Sequence, residues 1–209
     1  MLYDQAFFDM IRPGCQASAA VVVPLVFDLV KPATVIDVGC GEGHWGKAFE
    51  DHGCKVTGVD GAGTRSVLET FVPLDLGRSL RAANLGTFDL AVSLEVAEHL
   101  AEPRSAGFIT DLCSLAPVVL FSAAIPGQGG VGHKNEQWPT WWADKFDDHG
   151  YAVSGALRWQ IWTDYRVKNW YRQNLLLATS DPSRFPELFN TPMAEPFSVI
   201  HPVLWDSRR

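Results

Sequence analysis

The stretch "TVIDVGCGEGHWGKAFEDHG", from Thr34 to Gly53, limits the fold more than any other part of the chain. It opens on a β-branched apolar run, the composition of a strand buried on both faces. Gly39, Gly41 and Gly43 follow at once, and Trp45, Ala48, Phe49 and His52 then recur at helical spacing until Gly53 stops the helix. "KVTGVD" supplies the next strand, so the segment reads as a strand–helix–strand unit with a glycine turn at the end of its first strand.

The alternation continues along the chain. "FDLAVSL" and "PVVLFSAAI" read as strands, "PRSAGFITDLCSL" as a helix opening with proline, and Gln16 to Val30 as a helix bent at Pro24. This order predicts an α/β architecture: an open, mostly parallel sheet with helices on both faces. "YAVSGALRWQIW" and "WYRQNLLLAT" leave no room for a long helix between them, so the sheet is expected to finish with an antiparallel pair. With 209 residues, 47% of them hydrophobic, the chain suits a single domain over residues 1–180. The remainder, 181–209, carries Pro182, Pro186, Pro192, Pro196 and Pro202 and is expected to lie over the surface as extended chain or to contact a partner, without regular structure.

A formal charge of -7 with no run of Lys or Arg argues against nucleic acid as a partner. Cys15, Cys40, Cys54 and Cys113 are scattered, which suits a reducing cytoplasm. Asp4 and Asp9 stand where a signal peptide would carry positive charge, and "ASAAVVVPLVFDLV" is too short to span a bilayer. The expectation is a cytoplasmic protein with neither a membrane nor a nucleic-acid partner.

Taken alone, Gly41, Gly43 and Gly46, with Asp60 about twenty residues on, match a dinucleotide fingerprint and would fit an NAD-dependent oxidoreductase. Asp37 argues otherwise. An acid on the first strand, just before the glycines, repels a pyrophosphate but pairs with an ammonium group, so the pocket favours a cationic, amino-acid-bearing nucleotide. "VIDVGCGEG" resembles motif I of the class I S-adenosylmethionine-dependent methyltransferases, with Asp37, Gly39, Gly41 and Gly43 at the expected places. The resemblance spans roughly residues 15 to 180 and implies a Rossmann-like, seven-stranded, mostly parallel sheet with one antiparallel strand.

The resemblance also implies site roles. Gly39 and the adjoining loop, Cys40 included, pack on the methionine part of the cofactor; Asp60, followed by Gly61, holds the ribose hydroxyls; Asp75 and Leu76 contact the adenine; Glu95, in "FDLAVSLEVAEHL", lies beside the cofactor. Glu95, Glu98 and His99 fall within about one helical turn, and with His133 they match a group that binds metal in some members of the superfamily, among them small-RNA 2'-O-methyltransferases. Many relatives carry the same group without metal, and none is expected here.

"FSAAIPGQGGVGHKNEQWPTWW" leaves a core strand through a glycine-rich loop that should border the acceptor pocket, with Trp138, Trp141, Trp142 and Phe146 pinning the next helix. His133 is the first candidate for the general base, His99 the second, and Glu136 a group to orient the base. Tyr3, Phe7 and Phe8 suggest an N-terminal helical lid. The loop and the later "WYRQNLLL" resemble small bacterial methyltransferases of polysaccharide or secondary-metabolite biosynthesis, which implies methyl transfer to an oxygen or nitrogen of a small-molecule acceptor, a sugar or natural-product intermediate. Cyclisation of S-adenosylmethionine itself and a non-catalytic binding module are the competing expectations on the same fold.

Overall fold

The computed structural model describes residues 5–61, 63–195 and 198–207. In chain order the strands are β1 (Thr34–Val38), β2 (Lys55–Asp60), β3 (Thr70–Pro73), β4 (Leu90–Leu94), β5 (Val118–Ser122), β6 (Ala152–Ser154) and β7 (Leu176–Thr179). They form one seven-stranded sheet in the order β3-β2-β1-β4-β5-β7-β6. The strands from β1 to β5 pair in parallel, and β7 runs antiparallel to both β5 and β6. The expected single antiparallel strand is therefore β7.

The helices are α1 (Gln5–Val30), α2 (His44–Asp51), α3 (Ser105–Leu115), α4 (Pro139–Asp147), α5 (Ala156–Ile161), α6 (Asn169–Asn174), α7 (Pro186–Phe189) and α8 (Pro202–Asp206). Because successive side chains of a strand point to opposite faces, the sheet feeds two cores. Val35, Val92 and Leu120 pack with Val22, Val26 and Phe49 from α1 and α2, while Ile36, Ala91, Val119 and Phe121 pack with Phe108, Leu112, Trp142 and Phe146 from α3 and α4. The Phe121 ring meets Trp142 at 5.2 Å and Phe146 at 5.5 Å, so the tryptophan helix is anchored on β5.

Three expectations need correction. The first helix begins at Gln5 and runs for 26 residues through Pro13 and Pro24, because Ala19, Val22, Val23, Val26 and Val30 are held along one face in the core. At that length it meets the length and composition of a membrane span, so the argument that the stretch is too short does not hold. "ALRWQI" and "NWYRQN" are α5 and α6, with only short strands beside them: Leu157 and Ile161 lie one helical turn apart and both enter the core. The tail is partly regular, because Pro182, Pro186 and Pro202 each open a helical turn instead of preventing one, and Phe185, Leu188 and Leu204 are buried. Tyr3 lies outside the described residues. Strand β3, at the sheet edge, carried no signal distinct enough to be read beforehand.

Replacing Trp142 by alanine removes the largest fully buried side chain of the α4 face. Denaturant unfolding should show a loss of about 3–5 kcal/mol, with the midpoint falling and the slope unchanged.

Candidate active site

All parallel strands end on the same edge of the sheet, and the loops there carry the polar residues. After β1 the chain turns through Gly39 at φ 83° and Gly43 at φ 86°, a left-handed backbone that glycine adopts without strain. A side chain at Gly39 would also collide with Val96. Asp37 is 3% exposed, and its Oδ2 accepts a 3.1 Å hydrogen bond from the Gly46 amide. Burial pushes its pKa up to about 7, against the pull of that amide.

Asp60, the last residue of β2, joins two loops: its Oδ2 accepts from the Gly41 amide at 2.7 Å and its Oδ1 from the Gly61 amide at 2.6 Å. Burial raises its pKa and the two amides oppose the rise. Cys40 packs its thiol against Gly58, where a side chain on that glycine would collide with the sulfur. Asp75 and Leu76 follow β3 at the same edge, where the Leu74 amide donates to the Asp60 carbonyl. The Asp75 side chain is 69% exposed and caps the Gly77 amide, while Arg104 donates to the carbonyls of Leu76 and Arg78 at 3.1 and 2.7 Å.

The first turns of α1 lie across the glycine loop. Phe8 sits over Gly41, where an added Cβ would come within 3.2 Å of the ring. Arg12 forms two bonds to Glu42, at 2.8 and 2.7 Å, and Gln5 adds a third at 3.0 Å. The Arg12 guanidinium holds the Glu42 pKa down at about 2. Glu42 escaped the sequence reading; its place between the second and third glycines was the available signal.

Across the edge, Glu95 leaves β4 with φ 55°, an unusual conformation for a residue with a side chain. Its Oε1 accepts from Asn174 at 3.0 Å and its Oε2 from Gln128 at 2.9 Å, and its own amide bonds Ser122. Burial raises its pKa against those amides. Glu98 is fully buried, and among the described residues neither carboxylate oxygen has a hydrogen-bond partner of normal geometry. Burial and the charge of Glu95 push its pKa well up.

The glycine-rich loop is closely folded. Glu136 accepts from the amides of Gly127 and Gly129 at 2.7 and 2.6 Å and lies 2.8 Å from His133 Nδ1, so it closes the loop and orients the imidazole. The helix after it is capped by no side chain, which excludes a capping role for Glu136. His99 meets His133 ring to ring at 4.9 Å. Burial, then the neighbouring His133 charge, lowers the His99 pKa to about 4, so His99 is neutral and weakly basic near pH 7. Glu98, His99 and His133 each offer a ligand atom within 4.8 Å of the others, a set of oxygen and nitrogen donors suited to a divalent cation.

The edge thus pairs a glycine cradle containing buried acids with a carboxylate–histidine couple, an arrangement able to hold a cationic nucleotide and to take a proton beside it. Residues 16–163 match the sequence model of a family described as "Methyltransferase domain". Ubiquinone biosynthesis O-methyltransferase of Pseudomonas paraeruginosa (strain DSM 24068 / PA7) is 37% identical over 83 residues, 34% of this chain and 35% of that protein. The protein of the same name from Methylobacterium sp. (strain 4-46) is 36% identical over 102 residues, 44% of this chain and 40% of that protein. The match therefore spans less than half the length of these curated relatives.

Among solved structures, magnesium protoporphyrin IX methyltransferase from Synechocystis PCC 6803, crystallised with bound SAM, superposes with a TM-score of 0.59 at 20% identity, over 86% of this chain and 85% of that one. A putative O-methyltransferase from Nostoc punctiforme PCC 73102 gives 0.61 at 12% identity, over 83% and 58%. At these identities the likeness is one of fold.

The buried Asp37 makes a test. Its pKa is 3.8 ordinarily and about 7 in the fold, so between these values the unfolded chain is ionised while the folded one keeps its proton. Ligand-free stability therefore falls as pH rises through that window and levels above it. Asp37→Asn removes the effect, and thermal scans should show the variant melting above the parent at about pH 8, with the gap closing toward about pH 4.

Proposed function

Since the chain belongs to the methyltransferase-domain family, with residues 16–163 matching it, we propose that it carries the methyl group of S-adenosylmethionine to an oxygen of a small molecule. The observation that carries the reading is the meeting, on one sheet edge, of the Asp37–Asp60 cradle with the His133–Glu136 couple. Asp37 pairs with the cofactor's ammonium, the free lone pairs of Asp60 receive the ribose hydroxyls, Asp75 and Leu76 border the adenine, and Glu95 faces the sulfonium. Oxygen is favoured over nitrogen by the two O-methyltransferase relatives. A hydroxylated sugar or natural-product intermediate is the acceptor class.

With Nδ1 held by Glu136, Nε2 of His133 is the basic nitrogen. As the acceptor oxygen attacks the methyl carbon in line, its proton passes to Nε2, and the carbon–sulfur bond breaks with its electron pair staying on sulfur. The products are the methyl ether and S-adenosylhomocysteine. The first turns of α1, latched through Arg12 and Glu42, act as the lid that keeps water from the cofactor. In this reading residues 1–180 make up the methyltransferase domain, and the tail from residue 181 rests on it through the buried Phe185, Leu188 and Leu204.

One observation favours a second reading of the acid group. The Glu98 carboxylate, which has no hydrogen-bond partner of normal geometry among the described residues, lies beside His99 and His133 and fits a divalent cation, which would lower the acceptor's pKa as a Lewis acid. Elemental analysis decides between the readings: an ion retained by the purified protein and lost in Glu98→Gln supports the cation, whereas unchanged turnover after thorough chelation leaves the proton with His133.

Methyl-labelled S-adenosylmethionine offered with a panel of hydroxylated acceptors tests the activity. Formation of S-adenosylhomocysteine together with a labelled ether supports methyl transfer; methylthioadenosine would indicate cyclisation instead. With an accepted substrate, His133→Ala should lower kcat by about 10²–10⁴ while cofactor affinity stays within about twofold, since His133 lies on the acceptor side.

A further inference from the structure

Glu95 is connected to the C-terminal tail by a buried chain of amides. Asn174 Nδ2 donates to Glu95 Oε1 at 3.0 Å and to Gln128 Oε1 at 2.9 Å. Gln173 Nε2 donates to Asn174 Oδ1 at 3.0 Å, and the backbone amide of His201 donates to Gln173 Oε1 at 2.7 Å. Gln173 is 0% exposed, Asn174 1% and His201 4%, so water does not compete for these groups.

The direction of this chain is fixed at its far end. A carboxamide can present either its oxygen or its nitrogen, but a backbone N–H can only donate. The His201 amide therefore demands the Gln173 oxygen, which turns the Gln173 nitrogen toward the Asn174 oxygen, which in turn leaves only the Asn174 nitrogen for Glu95. The second amide on Glu95 is set in the same manner, because the Ile125 backbone amide donates to Gln128 Oε1 at 3.3 Å and leaves Gln128 Nε2 facing Glu95 Oε2. Inverted, Asn174 would aim a carbonyl at the carboxylate.

We propose that Gln173 and Asn174 are positioning residues through which the His201 backbone amide, in the proline-rich tail, holds Glu95 as a donor-bound carboxylate directed at the cofactor's sulfonium. The inference rests on the reading of Glu95 given under Proposed function. It makes the tail a working part of the site, since the buried segment at His201 decides which atoms Glu95 meets. A carboxylate so held favours the positively charged S-adenosylmethionine over its neutral-sulfur product, S-adenosylhomocysteine, and so helps the product leave.

The test compares affinities for these two nucleotides by calorimetry on the full chain. His201 has φ -67° and ψ 132°, values proline adopts, so His201→Pro removes the amide hydrogen without forcing the backbone. His201→Ala keeps that hydrogen and serves as control for the imidazole, which bonds the Trp162 carbonyl and the Val203 amide. The ratio of S-adenosylmethionine to S-adenosylhomocysteine affinity should fall about tenfold in His201→Pro and in Gln173→Leu, and stay at the parent value in His201→Ala.

Equal ratios in His201→Pro and His201→Ala overturn the relay, as does an equal weakening of both nucleotides, which is what a purely structural role gives. Glu95→Gln separates the premises. A fall there without one in His201→Pro defeats the relay alone; no change in Glu95→Gln defeats the reading of Glu95 at the sulfonium and the relay with it.

Discussion

The two hydrogen bonds that Asp60 accepts from the Gly41 and Gly61 amides tie the loop after β1 to the loop after β2, and the glycine cradle is built on that tie. Parallel strands in the register Asp37↔Gly58 bring the two loops level, and the carboxylate fixes the small distance that remains. The tight glycine turn then allows α2 to begin beside the sheet, with Gly46 presenting its amide to Asp37. Glu42, on the same turn, gives α1 its anchor through Arg12. One short acid thus organises a strand, two loops and the helix that covers them.

In the proposed function, charge gives this edge its selectivity. Burial raises the pKa of Asp37, Asp60, Glu95 and Glu98 alike, and each is held mainly by neutral amides or, for Glu98, by no bond of normal geometry among the described residues. Acids so placed are destabilising in the empty protein and become favourable when a cation arrives, which is the electrostatic match to an ammonium and a sulfonium. A pyrophosphate would meet the opposite field. The histidines answer to the same surroundings: burial keeps His99 neutral, whereas His133 is held on the loop through its 2.8 Å contact with Glu136.

Local pattern made the cradle legible in the sequence. Asp37, the glycines and Asp60 lie within one strand–helix–strand unit, where period and spacing report directly on geometry. The same holds for His133 and Glu136, three residues apart on one loop. What escaped depends on contacts between distant segments: Arg12 to Glu42 across 30 residues, Asn174 to Gln128 across 46, and Asn174 to Glu95 across 79. The tail was misjudged for a different reason. Proline excludes a helix interior but suits its first turn, so Pro182, Pro186 and Pro202 were compatible with short helices that only packing of Phe185, Leu188 and Leu204 could reveal.

The central claim is that this edge binds a cationic sulfur nucleotide through Asp37 and Asp60. Calorimetric titration of the purified protein with S-adenosylmethionine, S-adenosylhomocysteine and NAD, repeated on Asp60→Ala, tests it most directly. The account predicts binding of both sulfur nucleotides with Kd on the order of micromolar, lost in the variant, and no heat from NAD. Binding of NAD alone, or sulfur-nucleotide affinity untouched by Asp60→Ala, would contradict it.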